Sequence, residues 1–311
     1  MIIKIGIDSG KDNTKYSMKV GDVSVKHHFQ TNVERISDRD GMFRVDYMGY
    51  SYIVGEPIVN LSENMTRTNK ESNEHHMSVI TAICDALRKV DKPVGAKVIA
   101  TINMPLSEFK VKSNHTRIKD MYNRQYDLMV NDQRFNFSLE VVPYYEGAGI
   151  AAKNLGLFSK FTETAVLDFG SLNTNVIVYG VNGQPIIGKS TCLKHGINML
   201  LLRIRDRIHE ATGEYLEFSL IRGVITGEAA EAVTPEMCQI ADAEVQNYLG
   251  HLVSEMEALK INTRRITVIA SGGGATLLKN QINDTFLHDC HVDHDSLYGN
   301  ATGTVGMLKN L

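Results

Sequence analysis

Ile2-Ile-Lys-Ile-Gly-Ile-Asp-Ser-Gly-Lys-Asp-Asn-Thr-Lys-Tyr16 is the stretch on which the fold turns. Its aliphatic residues lead into Asp8, a small polar turn follows, and Lys15 stands seven residues past the Asp. The pattern predicts a buried strand ending in a carboxylate, a tight turn and a second strand. Such a hairpin offers backbone N–H groups to an anion, with the Asp placed to hold a metal beside them. A second copy raises the weight of this reading. Ala165-Val-Leu-Asp-Phe-Gly-Ser-Leu-Asn-Thr-Asn-Val-Ile-Val-Tyr179, aligned on Asp168, shares with the first the pattern Asp-x-Gly-x-x-Asn-Thr. A turn cap and a solvent-facing lysine would explain either hairpin alone, but a repeated pair argues for a duplicated protein of two domains.

The rest of the sequence bounds the possibilities. A length of 311 residues suits two domains, each with its own core. Hydrophobic residues at 43% and charged residues at 22% are those of a globular chain. A net charge of −3 argues against a surface that grips nucleic acid unaided. Cys84, Cys192, Cys238 and Cys290 are widely spaced, which suits a reducing compartment and neither a disulfide framework nor a zinc site. A strand pattern from the first residues predicts no signal peptide, and no apolar run approaches the roughly 18 residues a membrane span needs. The expectation is a soluble cytoplasmic protein that touches no membrane.

Along the chain, strands and helices alternate, predicting an α/β protein. Short β signals at Phe43 to Val45 and Tyr50 to Gly55 suggest a small subdomain over residues 30–75. Helices are expected at Glu74 to Lys89, at Ser107 to Tyr122 with its bases Lys110, Lys112, Arg117 and Lys119, at Ile197 to Glu210, and from Thr234-Pro235 to about Lys260. Strands are expected at Ala96 to Asn103, Glu140 to Val142, Gln184 to Gly188 and Arg265 to Ala270. Gly147, Ala148, Gly149, Ala151 and Ala152 suit a linking helix packed closely on backbone, and the C-terminal stretch from Tyr298 is another Gly/Ala-rich helix. The domains expected are residues 1–157, with the subdomain, completed by a C-terminal helix over 296–311, and residues 158–295 with a small insertion around 212–230.

Phosphoryl transfer needs amides and a cation around the phosphates, a metal, and a group that orients the nucleophile. The first turn, Gly10, Lys11, Asp12, Asn13, Thr14 and Lys15, and the second, Gly170, Ser171, Leu172 and Asn173, are the candidate phosphate binders. Asp8 and Asp168 are the candidate Mg²⁺ holders, acting through water. Glu146 is the candidate acid that polarises a water. Gly272, Gly273, Gly274 and Ala275 follow a strand and let a base or ribose lie on the backbone. The histidines form no site, and a metal reading of His288, His291 and His294 is weaker than that of a solvated loop.

These pieces, in this order, resemble the actin-like ATPase superfamily, and most of all the bacterial plasmid-segregation actins of the ParM/StbA type. The first phosphate motif matches Asp8, Gly10, Asn13 and Lys15; the second matches Asp168 and Gly170. The connecting motifs match Pro143 to Ala152 and Asn300, Ala301 and Gly303, while the adenosine motif matches Ser271 to Ala275. Ile102 to Pro105 is similar to a Thr-Gly-Leu-Pro segment, with Asn103 in place of Gly. The chain departs from the pattern at Ser171-Leu172-Asn173 and at Asn175, where an Asp is usual. The catalytic acid falls on Tyr144 in one alignment and on Glu146 with a two-residue slip.

The resemblance implies a duplicated, ribonuclease-H-like fold of two domains with ATP or ADP and Mg²⁺ in a cleft between them; GTP is an open alternative. It also implies polar filaments of the protein itself, and a DNA-bound adaptor of the ParR type through which DNA is moved only indirectly. A small-molecule kinase of the same fold and a non-catalytic nucleotide-binding scaffold are the competing readings.

Overall fold

The computed structural model describes residues 1–36, 41–55, 72–286 and 289–308. The chain divides into two compact units, residues 1–153 with the C-terminal segment from Tyr298, and residues 154–297. The expected subdomain segment 56–71, His288 and the last three positions of the C-terminal helix lie outside the described residues.

In the first unit the strands are β1 (Ile2–Ser9), β2 (Asn13–Val20), β3 (Val23–Ile36), β4 (Phe43–Tyr47), β5 (Tyr50–Gly55), β6 (Val94–Met104), β7 (Arg124–Val130) and β8 (Gln133–Tyr145). Its helices are α1 (Asn73–Lys89), α2 (Leu106–Phe109), α3 (Lys112–Tyr122), α4 (Ala148–Lys153) and, after the second unit, α10 (Gly299–Met307). The sheet runs β3-β2-β1-β6-β8, with the first two pairings antiparallel and the last two parallel. β3 and β8 are long enough to outrun it. Past the sheet, β3 pairs with β5 and β8 with β7, and β4 joins them through Val45↔Val130 and Asp46↔Met129. The β signals at 43–55 therefore extend the first sheet.

The second unit repeats the plan. β9 (Thr164–Phe169), β10 (Thr174–Tyr179), β11 (Thr191–Leu193), β12 (Thr267–Ser271) and β13 (Cys290–Val292) lie in the order β11-β10-β9-β12-β13. Here too the pairings are antiparallel twice and parallel twice. Its helices are α5 (Ile197–Thr212), α6 (Phe218–Thr226), α7 (Pro235–Ala258), α8 (Gly273–Leu277) and α9 (Lys279–Thr285). Two sheet segments of one topology are what a duplicated Asp-x-Gly hairpin predicts.

Burial follows the alternation of side chains along a strand. Ile3, Ile5 and Ile7 are fully buried in a core shared with Val79, Ile80, Ile83 and Leu87 of α1, each worth about 1.5–3 kcal/mol relative to exposure. The other face of β1 meets α10, and Gly6 lies so close to the Ala301 carbonyl that a Cβ would overlap it. Ser72 caps α1 through the amide of His75, and Thr234 caps α7 through that of Met237 with Pro235 just inside.

Several expectations shift. The basic helix breaks at Lys110–Val111 into α2 and α3. β7 and the first half of β8 carry exposed Arg124, Gln125, Asp127 and Arg134 and escape a hydrophobicity reading; Asn131 and Asp132, at φ 46° and 62°, form the hairpin turn between them. The third strand of the second sheet is Thr191–Leu193, whereas Gln184 to Gly188 gives only the bridge Tyr179↔Pro185 and a 3-10 turn; Pro185 has no N–H to give a ladder. The region 212–230 holds α6. Among the described residues no helix is long and apolar enough to cross a membrane.

Candidate functional site

In the first unit, β1, β6 and β8 are parallel and bring their carboxyl ends to one sheet edge, where open α/β sheets place ligands. Asp8 follows the pair Ile7↔Ile102, so it lies beside Asn103, which pairs with Tyr144. The amide of Glu146, just past β8, donates to Met104 O at 2.9 Å, leaving its side chain half-exposed at that edge. The Tyr144 phenol has its pKa raised by burial, so it keeps its proton and is no base at neutral pH.

The β1–β2 turn is closed by Gly10 N–H donating to Asn13 O at 3.1 Å. Behind it runs a chain of hydroxyls that sequence reasoning missed. Thr14 Oγ1 is 2.8 Å from Thr31 Oγ1 and 3.2 Å from Ser9 Oγ. Ser9 Oγ is in turn 3.1 Å from His75 Nδ1, and Thr31 Oγ1 donates to Gly10 O at 2.7 Å. Asp12 accepts from Asn13 Nδ2 at 2.8 Å, which turns its carboxylate along the loop. Lys15 and Asp8 are register partners across the hairpin, and Lys15 Nζ lies 3.5 Å from Asp8 Oδ2.

The second unit builds the same turn. Gly170 N–H donates to Asn173 O at 3.0 Å. Thr174, buried like Thr14, donates to His195 O at 3.0 Å and lies 2.9 Å from Tyr248 OH. The amides of Ile197 and Asn198, at the start of α5, donate to Gly170 O at 3.1 Å and Ser171 O at 2.9 Å. Among the described residues the N–H groups of Lys11, Ser171 and Leu172 meet no acceptor, which leaves them to solvent or to an anion. The register partner of Asp168 is Asn175, so the second hairpin has the carboxylate without the lysine.

Asp168 also pairs with Ser271 on β12, whose Oγ lies 3.3 Å from the buried Asp293 just past β13. Asp293 is a further edge residue that the sequence did not reveal, because three-residue β13 carries no pattern of its own. Gly272, at φ 90°, is pressed on the second hairpin: a Cβ there would stand 2.6 Å from Phe169 O and 2.7 Å from Asp168 Oδ1. Gly274 packs against Ile197 and Ala275 is fully buried in the core. Of the three glycines Gly273 is the exposed one, with nothing nearer its Cβ position than Leu297 at 3.9 Å.

The connecting helices meet inside the first unit. Gly147 N–H donates to Asn300 Oδ1 at 3.0 Å. α4 and α10 cross with Gly149 against Asn300 and Gly303 against Gly149, so close that a Cβ at either would overlap backbone. Ala301 is fully buried. The histidines serve as structural groups: His75 supports the first turn, His27 Nδ1 lies 3.0 Å from Asp85, and His76 is stacked among Tyr47, Tyr122 and Tyr126. Among the described residues no group of three His, Cys, Asp or Glu could hold a metal by itself.

No protein-family model matches the chain, and no curated protein does. Solved structures do. The archaeal actin homologue Ta0583 in complex with ADP superposes with a TM-score of 0.73 at 17% identity, over 99% of this chain and 100% of that one. The Alp12 filament gives 0.73 at 21% identity, with 98% of each chain covered. The 15-stranded ParM filament from Clostridium botulinum gives 0.72 at 16%, with 99% of each covered.

The chain has an actin-like fold. The match covers both units, and with them the duplicated hairpins, the Gly149–Gly303 crossing and the glycine loop at 272–274.

Proposed function

We propose that the protein is an actin-like ATPase that assembles into polar filaments in a nucleotide-dependent way. The observation that carries this reading is the duplication: Gly10–Asn13 and Gly170–Asn173 close two turns of one geometry, each beside an aspartate at a sheet's carboxyl edge. Solved filaments among the neighbours and a neighbour with ADP support it.

Each unit supplies one hairpin to the phosphates. The residues Gly10 to Lys15 and Gly170 to Asn173 offer amides, and Lys15 adds a point charge. Asp8 and Asp168 suit Mg²⁺, which keeps most of its waters and is held by one or two carboxylates with the phosphates. That ion would offset charge on the phosphates. Glu146 orients and polarises the attacking water, while the open backbone at Gly273, flanked by Gly272, Gly274 and Ala275, receives the nucleoside.

The same reading makes the partners other copies of the chain and a DNA-bound adaptor of the ParR type, so that cytoplasmic DNA such as a plasmid is moved without direct contact. Sedimentation, phosphate release and electron microscopy with ATP, GTP, ADP and no nucleotide test it. Nucleotide-dependent filaments that release phosphate are expected; no sedimentable polymer over a wide range of concentration and salt overturns the reading.

A further inference from the structure

The basic segment noted in the sequence takes no part in the hairpins. Between Leu106 and Arg124 five bases stand against two acids, Glu108 and Asp120, a local surplus of three positive charges on a chain of net −3. Lys110, Lys112, Arg117, Lys119 and Arg124 are all exposed on α2, α3 and the start of β7. Arg117 donates to Asn114 Oδ1 at 3.1 Å, and Arg124 donates to the carbonyls of Asp120 and Met121 at 3.3 and 2.6 Å. These bonds steady the two guanidiniums at the surface. Among the described residues Lys110, Lys112 and Lys119 have no carboxylate partner.

The second unit carries the opposite imbalance. From Glu214 to Glu244 seven acids stand against one base, Arg222, a surplus of six negative charges. Glu214, Glu217, Glu228, Glu231, Glu236 and Asp242 are exposed and form no ion pair with a described residue. Glu244 alone is tied, to Arg207 at 3.6 Å. Glu236 has a local reason to be acidic, since it lies in the first turn of α7 where the helix dipole favours it. Each face also bears an exposed apolar residue, Val111 at 49% and Tyr215 at 67%, the latter stacked on His209 at 3.8 Å.

We propose that the basic face of α2–α3 in one copy docks on the acidic face of α6–α7 in a second copy of this chain. This rests on the filament reading and names one of its contacts. A single charged face is ordinarily just solvated. Two faces of opposite sign on one chain are complementary between copies, and a head-to-tail contact between them builds an open filament where its rotation does not close. Complementary charge also steers encounter and fixes register.

The test uses two charge-reversed chains, Lys112→Glu/Arg117→Glu/Lys119→Glu and Glu228→Lys/Glu231→Lys/Glu236→Lys, in nucleotide-dependent sedimentation beside the unaltered protein. The unaltered protein should polymerise, with a critical concentration that rises with salt as screening shortens from about 10 Å at 0.1 M to about 3 Å at 1 M. Each reversed chain alone should need at least about tenfold more protein. An equimolar mixture should recover assembly, because one chain then presents two acidic faces and the other two basic ones; recovery also shows that both are folded. A reversed chain that polymerises as the unaltered protein does, or a mixture no better than its parts, overturns the contact and leaves the filament reading standing. An unaltered protein that forms no polymer overturns both.

Discussion

Lys15 faces Asp8 across the first hairpin, Nζ 3.5 Å from Oδ2, and the same place in the second hairpin pairs Asp168 with Asn175. The duplication kept the carboxylate on both sides and the cation on one. Both partners of the Lys15–Asp8 pair are largely sheltered, with side chains 16% and 14% exposed.

Lys15→Ala removes the cation that faces Asp8 and, on the proposed reading, leaves that carboxylate beside the phosphates without its partner. Nucleotide affinity should fall by at least about tenfold, while Asn175→Ala should change it little. Calorimetric titration with ATP and ADP measures both.

Glu146 and Tyr144 compete for the acid's role, and the structure separates them chemically. Burial keeps the Tyr144 phenol protonated, whereas Glu146 is a half-exposed carboxyl at the edge of β8. Glu146→Gln should slow phosphate release by roughly 10²–10⁴-fold with nucleotide binding retained, and Tyr144→Phe should leave the rate near that of the unaltered protein. Single-turnover phosphate release decides between them.

The crossing of α4 and α10 has no room for a methyl group. Gly303→Ala would put its Cβ on the Gly149 carbonyl and should destabilise the protein by about 3 kcal/mol. Gly273→Ala meets nothing nearer than 3.9 Å and should stay within about 0.5 kcal/mol. Thermal and urea unfolding of the two variants gives the comparison.

His76 is buried in stacked rings, against Tyr122 at 4.8 Å and Tyr47 at 6.2 Å, and burial lowers its pKa from 6.5 to about 4. The unfolded chain binds this proton at higher pH than the native one does. Stability from the neutral ring is thus fully present above 6.5 and is lost as pH falls from 6.5 toward about 4, by up to about 3 kcal/mol in all. His76→Phe should flatten that part of the acid limb relative to the unaltered protein, as measured by urea unfolding between pH 4 and 7.

What could be read in advance followed from local chemistry. The Asp-x-Gly-x-x-Asn-Thr turns and the Thr234-Pro235 helix start each have a short-range cause, and each stands where the pattern placed it. β7 and β13 escaped because one is a charged, half-exposed ladder strand and the other is three residues long. The supporting hydroxyls Ser9 and Thr31 and the imidazole of His75 escaped for another reason: their partners are 5 to 66 residues away along the chain.

The sequence by itself determined that two like hairpins exist, that each ends a buried strand in an aspartate, and that the Gly/Ala-rich stretch at 147–152 can pack closely on backbone. These follow from side-chain periodicity and from the space a glycine leaves. Only the tertiary structure decided which residues stand beside those aspartates. Parallel pairing sets Asn103 next to Asp8, and Ser271 with Asp293 next to Asp168, and the register of a parallel strand is fixed by the packing of the whole sheet rather than by its own few residues.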